Sequence, residues 1–112
     1  MAYDSAFSPF GSTYLVGTSS VQVKASNNDN PTSYRIRNLK ATDQYFSWAP
    51  PAPNDVAVTC VTPAAPTAGS PVTNTLGVAG STTIVISGIP ANAWFLSNVA
   101  AGFEITAGEG KL

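Results

Sequence analysis

Along most of this chain, apolar and polar positions alternate every second residue. In SVQVKA (20–25), Val21, Val23 and Ala25 share one side, and Gln22 and Lys24 share the other. SYRIRN (33–38) sets Tyr34 and Ile36 against Arg35 and Arg37. VAVTC (56–60) aligns Val56, Val58 and Cys60, TTIVIS (82–87) aligns Ile84 and Ile86, and GFEITA (102–107) aligns Phe103 and Ile105. TYLV (13–16), QYFSW (44–48), a weaker run near 73–79 and AWFLS (93–97) complete the series. A period of two is the signature of a strand with unlike faces, and no stretch sustains helical spacing. Short strands about ten residues apart, separated by turn formers, predict an all-β fold: an antiparallel β-sandwich of jelly-roll type with about eight short strands.

Three segments break the alternation. ASNNDNP (25–31) reads as a turn, because Asn and Asp tolerate left-handed backbone and proline ends a ladder. APPAPND (49–55), with its three prolines, reads as a rigid extended loop, and TPAAPTAGSP (62–71) as a longer loop at one end of the sandwich. Residues 1–12 hold Phe7 and Phe10 without alternation, so they are expected to form an arm ahead of a single domain over 13–112.

Two strands carry rings on both sides. Phe46 and Trp48 share one face of QYFSW and Tyr45 the other, while Trp94 and Phe95 are adjacent in PANAWFLSN (90–98). Trp94 and Leu96 are expected to point inward and Phe95 outward. Exposed rings are costly, which leaves three ways to cover the second face: the arm or proline-rich loops, another subunit, or sugar rings stacked on it.

Composition narrows the classes of function. Charged residues are 10% of the chain, against about 25% in an ordinary soluble domain. A polar but nearly uncharged surface repels other proteins weakly and suits packing on a large partner. The net charge of −1, without a basic run, argues against nucleic acid as a partner. No window is long and apolar enough to predict a membrane span, and MAYDSAFSPF has neither the basic nor the apolar region of a signal peptide.

Histidine is absent, which removes Ser-His-Asp and Cys-His arrangements and histidine-ligated metal sites. The six carboxylates form no recognisable pair, so no catalytic residue, cofactor or metal is expected. Asn27-Asn28-Asp29-Asn30 offers oxygen ligands but lacks the Gly and bidentate Glu of a calcium loop, with Thr32 and Asn38 in those places. Cys60, on the apolar side of its run, reads as a buried thiol without a base to activate it. Arg35 and Arg37 project from one face two residues apart, with Lys24 as a possible third member; they read either as a solvated face or as a basic patch for a partner's carboxylates.

The order of these pieces resembles small virion proteins of tailed bacteriophages, in particular the capsid cement or decoration proteins. The residues that carry the resemblance are YRIRN followed by YFSW, and PANAWF followed by FEITAGEG. It implies a jelly-roll sandwich, self-associated as a dimer or trimer on the virion exterior after synthesis in the host cytoplasm. There it would bind the major capsid protein and stabilise contacts between capsid subunits. The protein-interface residues expected on this reading are Phe7, Phe10, Arg35, Arg37, Tyr45, Trp48 and Phe95, since aromatic residues and Arg are enriched in binding hot spots. The alternative is a carbohydrate- or receptor-binding module of a phage tail or fibre, in which an exposed Trp48 near Asp43 and Asn54 would stack on sugar.

Overall fold

The computed structural model describes residues 7–25 and 33–110. Eight strands form: β1 (Ser8–Val16), β2 (Val21–Gln22), β3 (Ser33–Asn38), β4 (Gln44–Ala49), β5 (Thr75–Val78), β6 (Thr83–Ser87), β7 (Trp94–Ser97) and β8 (Phe103–Glu109). They make two antiparallel four-stranded sheets, ordered β1-β8-β3-β6 and β2-β7-β4-β5. Each strand bonds to its counterpart counted from the other end of the series, β1 with β8, β2 with β7, β3 with β6 and β4 with β5. Successive pairs alternate between the sheets, which is the jelly-roll arrangement.

Alternation fills the space between the sheets. Val16, Tyr34, Ile36, Phe103, Ile105 and Ala107 come from the first sheet, and Phe46, Val78 and Phe95 from the second. Phe95 sits edge-on to Tyr34 with ring centres 5.1 Å apart, and Phe46 lies 6.0 Å from Phe95 and 5.6 Å from Phe103. The first and third of these contacts are T-shaped, a favoured geometry for rings, and the second is tilted; each large side chain buried in this way contributes about 1.5–3 kcal/mol.

The expected orientation of β7 is therefore reversed. Phe95 is fully buried in the core, whereas Trp94 and Leu96 face the other side of the strand. Phe95 makes the ring contacts with Tyr34 and Phe46 between the sheets, and alternation along the strand then sends Trp94 and Leu96 to the other side. Four other expectations also change. VAVTC (56–60) forms no strand. β2 keeps only Val21–Gln22 of SVQVKA. β1 starts at Ser8, so residues 8–12 belong to the first sheet and not to an arm. The 49–55 loop contains a 3-10 turn at Pro53–Asp55, in which Asn54 takes a positive φ of 61°. The turn over 25–31, and with it the calcium reading of Asn27–Asn30, lies outside the described residues apart from Ala25.

Asn38 locks one end of the sandwich. It is the last residue of β3 and is 1% exposed. Its amide donates to the carbonyls of Thr42 and Val78 at 3.0 Å and of Ala79 at 3.2 Å, and its Oδ1 accepts from the Lys40 N–H at 2.8 Å. One side chain thus ties β3 of the first sheet to the ends of β4 and β5 in the second. At the other end, the Tyr34 hydroxyl donates to the Pro90 carbonyl at 2.6 Å and accepts from the Ala93 N–H at 3.3 Å. Burial pushes this phenol above its ordinary value, and hydrogen bonding to the backbone at Ala93 and Asn92 pulls weakly the other way.

Two predictions follow from these locks. Asn38→Ala should cost about 3 kcal/mol in urea unfolding, because backbone groups at four positions each lose a bond at once, although the Ala79 carbonyl keeps Thr82 as a donor; a loss well under 1 kcal/mol would remove the lock. The second concerns alkali. A raised folded-state value means that the folded phenol holds a proton the unfolded chain releases. The contribution of Tyr34 is therefore complete below its ordinary 10.0 and is lost as the pH climbs past it. Tyr34→Phe should unfold with a shallower alkaline limb in a thermal-melt series.

Candidate functional site

The two sheets differ in what covers their outer faces. On the second sheet, the outward positions of β4 and β7 include Tyr45, Ser47, Trp94 and Leu96. Ser47 is fully buried and Leu96 is 7% exposed although both point away from the core. The cover is the chain's own 56–63 segment. The Ser47 hydroxyl donates to the Val61 carbonyl, and the Cys60 N–H donates to Ser20 Oγ at 3.0 Å. Cys60 and Pro63 are buried. Burial pushes the Cys60 thiol above its ordinary value, with the Ser20 hydroxyl a smaller opposing influence. Trp94 is half-buried between β2 and β4, beside register partners Gln22 and Ala49, and its Nε1 is buried without an acceptor among the described residues.

Farther along the same face, Tyr45 lies over Gly77 of β5, where a Cβ would come within 2.8 Å of the ring. Asp43, Tyr45, Gly77, Val78 and Ala79 line a shallow hollow of about 250 Å³ here. Asp43 is already engaged, accepting from the Gly80 N–H at 3.1 Å.

The outer face of the first sheet is built differently. Register places Leu15, Glu104, Arg37 and Thr83 in one row across its four strands, and Thr13, Thr106, Arg35 and Val85 in the next. Thr13 and Thr106 share a 2.7 Å hydrogen bond between their hydroxyls, and Thr106 is buried. Arg37 pairs with Glu104 at 3.3 Å, with side chains 55% and 37% exposed. An exposed pair of this kind contributes little stability. Leu15 is 59% exposed, the most open of the large hydrophobic side chains described. The Phe7 end of this face is closed as well: the ring lies over Gly108, where a Cβ would meet it at 2.6 Å, and Ser33, the register partner of Gly108, is buried.

The seven residues expected at an interface thus separate. Arg35 and Arg37 share the open face, but Lys24 does not join them, because it follows β2 in the opposite sheet. Phe7 packs on its own domain. Phe10 is half-buried at the irregularity of β1, where the register slips between Pro9 and Thr13. Tyr45 lies on the outer face of the second sheet. Trp48 packs against the core as the cross-strand partner of Phe95, and Phe95 itself is inside. Leu15, Glu104 and Val85 were not singled out in the sequence. The signal for Leu15 was its place between Tyr14 and Val16, which both turn inward. Comparison with known protein families, curated proteins and solved structures finds no match.

Cys60 reports on the cover of the second sheet. A raised value leaves less thiolate at a given pH, and burial blocks access as well. Reaction with a disulfide reagent near pH 8 should be slower than in urea by on the order of tenfold or more. Equal rates would mean that the 56–63 segment does not protect the face.

Proposed function

We propose that this chain is a structural virion protein, a capsid cement or decoration protein that binds the outside of a phage head across boundaries between major capsid proteins. The observation that carries the reading is the asymmetry of cover. The chain lays its own 56–63 segment over one outer face and leaves Leu15 and Arg37 open on the other, with Arg35 half-buried between its neighbours. A broad, weakly charged sheet face, with Leu15 at one margin and two Arg on β3, suits a protein partner that supplies a carboxylate-bearing surface. The resemblance of YRIRN, YFSW, PANAWF and FEITAGEG to phage virion proteins points to the shell as that partner. A jelly roll alone does not choose, since capsid proteins and lectins both use it.

In this reading the mechanism is bridging. Each copy adds buried area across a subunit boundary, so separating the subunits costs more free energy. Standard interfaces bury roughly 1,600 Å² in total, and many copies on one shell multiply a modest affinity. The sugar-binding alternative asked for an open Trp48, and Trp48 instead packs against the core.

The test is cosedimentation of purified protein with heads of its own phage. Leu15→Asp combined with Arg35→Glu should lower occupancy about tenfold, the effect of losing about 1.4 kcal/mol, while the circular-dichroism β signal is kept. Unchanged occupancy of the folded variant, or saturable binding of an oligosaccharide by the wild-type protein, would overturn the proposal.

A further inference from the structure

The free edge of the first sheet carries information about a partner. Among the described residues, β6 (Thr83–Ser87) bonds only to β3. The Asn38 N–H donates to the Thr82 carbonyl at 2.9 Å, which makes 38 and 82 a hydrogen-bonded pair. Antiparallel ladders alternate, so Ile84 and Ile86 turn their backbone groups toward β3. Thr83, Val85 and Ser87 turn theirs outward, and none has a backbone or side-chain partner among the described residues. Ile84 and Ile86 belong to the core layer but are only partly buried, because the core ends at this edge.

We infer that β6 pairs antiparallel with β6 of a second copy of this chain about a two-fold axis at Val85. The register is self-consistent. Val85 opposes Val85 of the other copy, and Thr83 opposes Ser87, so each outward N–H and C=O meets its complement in six hydrogen bonds. Ile84 and Ile86 of the two copies then meet across the seam and close the open end of each core. Thr83–Ser87 contains no charge and no proline, so the edge lacks the devices that prevent such pairing. The Arg35 side chains of the two copies are then three strand spacings apart, about 14 Å, beyond the screening length of about 8 Å at physiological salt.

The other edges do not compete. β1 is blunted by Pro9, which lacks an N–H, and by the register slip that follows it. β2 has two residues and β5 four, one of them Gly77. Growth therefore stops at a closed dimer with isologous contacts. The dimer joins two copies of the open face into one eight-stranded surface, but the inference does not rest on the capsid reading and is tested on purified protein alone.

Sedimentation equilibrium from micromolar to millimolar concentration should show a species of twice 11.5 kDa for the wild-type chain. Val85→Pro removes the central N–H without breaking any bond to β3, and Val85→Lys sets two like charges at the axis. Both should sediment at 11.5 kDa with the β signal retained; if the proline variant fails to fold, the lysine variant decides. The amides of Thr83, Val85 and Ser87 should exchange at least tenfold more slowly in the dimer than in Val85→Lys, a difference equivalent to about 1.4 kcal/mol. A wild-type monomer throughout, a folded lysine variant that still dimerises, or a dimer whose three amides exchange as fast as in that variant would overturn the inference.

Discussion

The packing of Phe95 between Tyr34 and Phe46 decides how the rest of this sandwich is arranged. Once that ring fills the space between the sheets, Trp94 and Leu96 must face the other side of β7. They bring a second apolar surface to a sheet that would otherwise be wet. The 56–63 segment answers that demand, held by Ser47 and Ser20 to the backbone at Val61 and Cys60. Its proline-rich flanks leave few other backbone states to lose on ordering, so laying it across the sheet carries a reduced entropic cost. The first sheet has Arg35, Arg37, Glu104 and Thr106 in the corresponding outward positions and needs no such cover.

Rings over glycines recur at the margins. Phe7 lies on Gly108 of β8 and Tyr45 on Gly77 of β5. In both places a missing side chain leaves a shallow seat, and a neighbouring aromatic residue fills it. Two rings that seemed in excess for a small sandwich are accommodated this way within the chain. Among the described residues, the most open large side chains are aliphatic or guanidinium, not aromatic.

Period-two alternation carried most of the fold. SYRIRN became β3 over its full length, and six further runs became strands within a few residues of their expected limits. The jelly-roll order itself came from strand count and spacing. VAVTC has the same alternation as a strand and forms none: Cys60 is buried and its N–H bonds to Ser20 instead of to a neighbouring strand, while Val56 stays exposed, and alternation in one sequence does not separate the two cases. Alternation also fixes which residues share a face without fixing which face is inside. For PANAWFLSN that phase was set by distant residues, Tyr34 and Phe46, and was therefore read the wrong way round. Arg35 and Arg37 were legible as a pair because both sit on one strand. Their neighbours Leu15 and Glu104 come from strands far away in sequence and are assembled only by register.

On the proposed function, the more open face of the first sheet would meet the shell, and the self-covered face of the second would meet solvent. Electron microscopy of intact heads at a resolution that separates strands tests this most directly. The account predicts density for this domain on the outside of the shell, with the β1-β8-β3-β6 face toward the major capsid protein and the 56–63 segment outermost. Density in the opposite orientation, or heads that carry no such density while the protein is present elsewhere in the particle or absent from it, would contradict the account.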